Sequence, residues 1–383
     1  MSGRPVRHVA ALVGRLLPHV YPGDQSSWAR AMRFEIEAVE GDGAALIFAL
    51  GCLWGGVRER CSGLGEGVNV MRIGGMNAGA IGILCAFAAT CLGILYLVAA
   101  GAPLRYPVVN AAAFLLGLVA LRGLIAAGAE AGRHLGALLV VLGASMLAVA
   151  LLGSSADGAA RWIWVGPLSV QLSLVLLPAM LVAFARSPDA LGSLGIGIAA
   201  AALALQPDRA MAGVLALGLA VLAATRPSRA SIGVLAIALG AFAISLFRPD
   251  SLPAVPFVDE ILFTSFDVHP LAGIAVLLGV LLLLVPAFAA RRSGPASLVF
   301  GAVWLGCIAA AALGNYPTPV VGYGGSAILG YLLSLVWLPD AGLTRTADDL
   351  GPIAPRSASR ADRSGEDRRA ALEATASRWA GSI

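Results

Sequence analysis

Residues 74–99 read GGMNAGAIGILCAFAATCLGILYLVA, a run without one charged side chain. At about 1.5 Å of rise per residue, a helix of this length is longer than a hydrocarbon layer of roughly 30 Å is thick. Backbone groups inside such a layer must bond within their own segment, so the run predicts a membrane-spanning helix. Working outward, comparable runs recur near 107–128, 134–153, 167–185, 191–205, 209–224, 230–247, 268–289, 297–314 and 319–338, separated by short loops holding Arg, Asp, Pro and Gly. The whole chain of 383 residues is 58% hydrophobic and 13% charged, with a mean hydropathy of +0.85. No single water-soluble core of this length needs that composition. The expected fold is therefore all-α, a polytopic membrane bundle of about ten helices.

Two of the runs, 191–205 and 209–224, are short: fifteen helical residues reach only roughly 22 Å. Their joint, Gln206-Pro207-Asp208, is expected to dip below the membrane surface, with a structural role in which Asp208 caps the following helix. The chain contains no lysine, so orientation must be read from arginine alone. Arg133, Arg186, Arg226, Arg229, Arg291 and Arg292 fall on one side, against Arg105, Arg161, Arg209 and Arg248 on the other. That bias places both termini in the cytoplasm and the loop containing Asp259 outside. The five cysteines, Cys52, Cys61, Cys85, Cys91 and Cys307, show no paired spacing and suggest neither disulfides nor a zinc site. The N-terminal apolar run, broken by Arg15 and followed by Pro18, is too short for a cleaved signal.

Two appendages flank the bundle, giving an expected organisation of 1–73, 74–338 and 339–383. In the first, DQSSWARAMRFEIEAVEGDGAALIFALGCLWGGVRER predicts two helices, with Trp28, Met32, Ile36 and Val39 at helical spacing and Asp24 or Ser26 as cap. The apolar stretch between Asp42 and Arg58 is short for a span and suits packing on the bundle or a place at the interface. The tail, rich in Arg, Asp, Ser and Ala, lacks the apolar content for a core, and only Glu366 to Trp379 has the makings of a helix.

Four stretches stand out from the apolar background. RWIWVGPLSVQLS runs from Arg161 to Ser173, LALQPD from Leu203 to Asp208, and FRPDSLPAVPFVDEILFTSFDVHPLAG from Phe247 to Gly273; PTPVVGYGGSA opens the last segment. In this order, on ten spans, the set resembles the SEDS family (shape, elongation, division and sporulation) of FtsW- and RodA-type membrane glycosyltransferases, over roughly residues 74 to 338. Family members enter their last helix through a Pro-x-x-Ser-Tyr-Gly-Gly-Ser-Ser-like turn, matched here by Pro319, Tyr323, Gly324, Gly325 and Ser326. Proline fixes the entry, glycine permits a positive φ or a close approach, and Ser326 can satisfy freed backbone groups.

The resemblance implies a function. Its members polymerise lipid II into peptidoglycan strands in the bacterial inner membrane, releasing undecaprenyl diphosphate, and the class implies a class B penicillin-binding protein as partner and no nucleic acid. The reacting carboxylate lies in a Leu-Pro-Glu-x-His-Thr-Asp-Phe-like stretch of a large external loop. Leu252 and Pro253 match its start and, with one extra residue, Asp259 matches the aspartate; Glu260 and Asp267 are neighbouring alternatives. As general base, Asp259 would take the proton of the acceptor sugar's 4-hydroxyl, and partial desolvation beside Phe257 and Phe263 would raise its pKa. Substrate contacts are expected from Arg161, Gln171, Ser173, Arg248, Tyr323, Gly324, Gly325 and Ser326. Arginine suits bidentate phosphate contacts, and Arg161, Arg209 and Arg248 suit interfacial anchoring equally well, with Trp162 and Trp164 in an aromatic belt. The sequence names no cofactor; a divalent cation at the diphosphate is the one open candidate.

Several positions depart from the family pattern. Leu174 and Leu177 stand where an acidic and a basic residue are usual, Ala210-Met211 replaces Gly-Thr, and Gly322 and Ala327 replace hydroxyl-bearing residues. Three functions consequently stand open: a divergent glycosyltransferase using Asp259, a non-catalytic homologue that holds a lipid-linked precursor or an envelope partner, and a transporter of a lipid-linked sugar. Broken helices at Gln206-Pro207-Asp208 and at Pro319 to Ser326 would suit the last.

Overall fold

The computed structural model describes residues 4–21, 26–53, 77–128, 134–153, 161–165, 168–248 and 253–338. Leu252, Cys61, the expected tail helix and the stretch joining 53 to 77 lie outside the described residues. The first three helices are α1 (Arg4–Val20), α2 (Ser26–Ala38) and α3 (Asp42–Leu53). They bury a small core of their own, in which Val13, Leu17, Tyr21, Ile36 and Cys52 meet. Two ties close it: Tyr21 Oη donates to the Cys52 carbonyl at 2.9 Å, and Arg7 donates to the carbonyls of Glu37 and Val39 at the end of α2. The periodicity in α2 reads correctly for Ile36, Met32 and Val39, whereas Trp28 stays 45% exposed and stacks obliquely on Tyr21.

All ten expected spans contain an apolar helix. Six are long: α4 (Ala78–Ala99), α5 (Arg105–Ala126), α6 (Leu135–Leu152), α10 (Arg229–Leu246), the pair α12 (Pro270–Leu282) and α13 (Val285–Ala289), and α14 (Pro295–Leu313). Four are shorter: α7 (Leu172–Arg186), α8 (Ala190–Leu205), α9 (Arg209–Thr225) and α15 (Gly325–Ser334), the last continued by a 3₁₀ turn over Leu335–Trp337. The chain is an all-α, multi-pass membrane protein.

Three boundaries correct the expectation. The fourth span was placed from 167, but Leu168–Gln171 is a strand (β2) paired antiparallel with Trp162–Val165 (β1), Trp162 opposite Gln171. Aromatic and β-branched residues at 162–165 favour that pairing over a helical start. Next, the loop before the eighth span, expected outside, is not all loop, because Ile261–Val268 forms a further helix, α11. Finally, the last helix begins at Gly325 and not near 319, the turn from Pro319 to Gly324 being non-helical.

The eighth span is broken between α12 and α13, just before Pro286, which has no N–H to give to the carbonyl four residues back. The Leu283 carbonyl at the break accepts the Tyr331 hydroxyl at 3.2 Å. Tyr331 sits in a fully buried aromatic group with Phe300 and Trp304, ring centroids 5.4 and 5.0 Å away. α15 thus lies at the centre of the bundle, packed on α4, α5, α7 and the α12–α13 break. The turn leading into it is as tightly held: a Cβ on Gly93 of α4 would lie 2.5 Å from the Val321 carbonyl oxygen.

Candidate functional site

The quoted stretches come together where α7, α9 and α15 begin. Asp208 is fully buried and caps α9, its Oδ1 accepting the Met211 N–H at 3.1 Å. Its Oδ2 accepts from Gln171 Nε2 at 3.0 Å and from Ser173 Oγ at 2.9 Å. The Gln171 backbone N–H, at the end of β2, donates to Ser326 Oγ at 3.0 Å. A continuous chain of hydrogen bonds therefore runs from α9 through the hairpin to the first turn of α15.

Around this chain the two arginines expected at phosphate act on backbone. Arg161, 4% exposed, donates to the Pro207 carbonyl at 2.6 Å and the Gln206 carbonyl at 3.4 Å. Arg248 Nη1 donates to the Ala204 and Leu205 carbonyls at 2.9 and 2.8 Å. Both guanidiniums thus close the C-terminal end of α8, where unpaired carbonyls and the helix dipole favour a cation. Gln206 in turn donates to the Met146 carbonyl of α6 at 3.3 Å.

Beside the chain lies a cleft of about 390 Å³ between α5, the hairpin and the start of α15. Gln171, Tyr323, Gly324, Gly325 and Ser326, five of the eight expected contact residues, line it. Ala112, Leu116, Leu174 and Leu329 make an apolar wall, and among the described residues no charged side chain reaches the lining. Both properties of glycine are used here. Gly324 has φ +152°, while a Cβ on Gly325 would stand 2.8 Å from that of Ala113.

The shape of this rim depends on Asn110, whose signal in the sequence, an amide inside an apolar helix, was passed over. It is fully buried on α5, donates from Nδ2 to the Gly322 carbonyl at 2.8 Å and accepts the Gly324 N–H at 3.2 Å. Tyr323, held between those two bonds, stacks on Tyr106 at 3.7 Å. Thr318 was also missed: it lines the cleft, is 3% exposed, and its Oγ1 has no partner among the described residues.

Asp259 is elsewhere. It lines a separate depression of about 370 Å³ with Tyr96, Val255, Phe257, Glu260 and Thr264, while the neighbouring Val258 faces the cleft. Between the two recesses stand Phe257, Tyr106 and Tyr323, with Phe257 edge-on to Tyr106 at 5.9 Å. The aspartate is 8% exposed and accepts the Val255 N–H at 2.8 Å. Burial pushes its carboxyl above the ordinary range; the Val255 N–H opposes this and the Glu260 charge adds to it. Phe257, Glu260 and Val320 all have φ between +59° and +69°, and backbone strain of this kind collects where tertiary structure over-determines a local shape. Of the alternatives, Glu260 opens α11 and Asp267 is exposed near its end. Among the described residues no three His, Cys, Asp or Glu side chains gather as metal ligands.

No protein family and no curated protein matches the sequence. Two crystal structures of the rod shape determining protein RodA from Thermus thermophilus are similar to it. The first shares 22% identity over 67% of this chain and 94% of that one, with a TM-score of 0.49. The second, of an aspartate-to-alanine mutant, has the same identity and coverage with a TM-score of 0.47.

Proposed function

We propose that this chain is a divergent SEDS-type protein of peptidoglycan synthesis in the bacterial inner membrane, both termini cytoplasmic, whose cleft receives lipid II or another undecaprenyl-linked precursor. One observation supports the reading: residues that the sequence resemblance picks from three distant stretches form one hydrogen-bonded unit, in which Gln171 and Ser326 line one cleft and Asp208 holds Gln171 from behind it. The apolar wall of Ala112, Leu116, Leu174 and Leu329 suits an isoprenoid chain, and the polar rim of Gln171, Thr318 and Tyr323 suits the sugar end. Asp259 is the general base for polymerisation, its raised pKa improving it as a proton acceptor near neutral pH. A class B penicillin-binding protein is the partner that this reading implies.

A second reading, a non-catalytic homologue that holds the precursor, draws on a specific feature: the Asp259 carboxylate opens to a depression of its own, beyond the Phe257–Tyr106–Tyr323 cluster. Purified protein incubated with lipid II decides between them. Glycan strands from the parent, absent with Asp259→Asn at unchanged lipid II binding, support the enzyme. Binding without polymerisation by the parent assigns the second reading, and absence of lipid II binding overturns both.

A further inference from the structure

Far from the cleft, at the end of the bundle where α7 and α9 finish and α8 and α10 start, the structure leaves an open groove of about 530 Å³ between α6, α8 and α10. Leu147, Leu194, Ile198 and Ile237 supply its walls. Its floor is formed by two glycines with room to spare: a Cβ on Gly233 would have no atom within 4 Å, and one on Gly197 would meet only Ile237 Cδ1 at 3.9 Å. Glycine inside a helix normally costs stability against alanine. Here no atom of the described residues uses the space that those glycines leave.

At the mouth stands Arg229, the first residue of α10, exposed and without a hydrogen bond or ion pair among the described residues. The charged groups on the two connections that meet here are Arg186, Arg226, Arg229 and Asp189. Asp189 is engaged in capping α8 through the Gly192 N–H, and Arg226 donates to the Arg186 carbonyl at 2.9 Å. The local balance is positive by two, three arginines against one aspartate. An apolar channel along the helices with a cation at the membrane-surface end is the shape of an amphiphile with an anionic head.

We infer that this groove binds an anionic diacyl phospholipid, one acyl chain lying over Gly197 and Gly233 and its phosphate on Arg229. A bilayer places such lipids at this depth, the acyl chain fills the vacant floor, and the guanidinium pairs with the phosphodiester. The inference does not depend on the function proposed for the cleft.

The test is native mass spectrometry of the full chain in detergent, titrated with phosphatidylglycerol or with phosphatidylcholine of the same acyl chains. The parent should hold phosphatidylglycerol about fivefold more tightly, the effect of one interfacial arginine. Arg229→Gln should abolish that preference and leave phosphatidylcholine unchanged, whereas Gly233→Phe, which fills the floor, should remove the site for both lipids. If Gly233→Phe fails to fold, Ala201→Phe, exposed on the facing helix and lining the same groove, makes the same test. Equal affinity for the two lipids in the parent, or a preference that survives Arg229→Gln, overturns the inference. So does loss of a dimer in the floor-filling variant with lipid binding intact, which would give the groove to a second copy of the chain.

Discussion

Two recesses share one end of this bundle, and they differ in what built them. The cleft beside the hairpin is lined by residues from α5, β1, β2, α7 and α15, and its Gln171 and Ser326 are tied into the chain that runs through Ser173 and Asp208. Among the described residues no carboxylate lines it. The depression behind the aromatic cluster holds a buried carboxylate with a raised pKa, flanked by positive-φ residues, on a short loop between α10 and α11. One recess has the apolar wall that suits a lipid chain, and the other has the group to move a proton. The functional reading requires them to act together, with Phe257, Tyr106 and Tyr323 as the boundary across which substrate must reach.

The largest expected break in that partnership is at the acid. Asp259→Asn keeps the shape of the depression and removes the base, so polymerisation should fall by about 10²- to 10⁴-fold while lipid II binding in the cleft stays as in the parent. The pH dependence follows from the same group. Polymerisation should climb as pH rises through the raised pKa of Asp259 and then level off. Stability should move the opposite way: a carboxyl whose folded pKa is raised favours the folded state fully below the ordinary carboxylate range and loses that contribution as pH rises through the raised value. Melting temperatures of the parent should therefore drop relative to Asp259→Asn between acid and neutral pH, and parallel curves for the two proteins would show that the carboxyl is not desolvated.

On the cleft side the expected losses are in stability. Asp208→Ala leaves Gln171, Ser173 and the Met211 N–H without their acceptor and should cost about 2–3 kcal/mol, read as a lower melting temperature in detergent. A variant that folds as the parent does but loses lipid II binding would instead put Asp208 in contact with substrate. Asn110→Leu exposes no new charge but orphans the Gly322 carbonyl and the Gly324 N–H, with an expected loss of about 1–2 kcal/mol and a weakened grip on Tyr323. The smallest effect contrasts packed and unpacked glycine: Gly233→Ala should stabilise by about 0.5–1 kcal/mol, since its Cβ meets nothing, whereas Gly93→Ala should destabilise because Val321 already occupies the space.

How much of this was legible depended on the kind of signal. Long apolar runs made the six long spans legible, because the bilayer sets a minimum length for a crossing helix. Where two conformations were open to the same residues, the reading failed. Leu168–Gln171 has the hydropathy of a helix start, and only its pairing with Trp162–Val165 makes it a strand, a contact that no local pattern announces. The Ile261–Val268 helix was hidden inside a loop defined by its flanking prolines. Gln171, Tyr323 and Ser326, picked out by motif, line one cleft, but motif spacing could not foresee that Arg161 and Arg248 would donate to the carbonyls closing α8. Asn110 was readable in principle, since an amide in an apolar span requires partners.

The central claim is that the cleft holds the lipid-linked precursor. Ala112 lines it from the exposed side of α5, so Ala112→Trp fills it without disturbing the buried hydrogen-bond chain. Lipid II affinity measured on the purified parent and on this variant, at matched melting temperatures, is the most direct test. The account predicts at least a tenfold loss, about 1.4 kcal/mol. Unchanged affinity would mean that the precursor binds elsewhere and would contradict it.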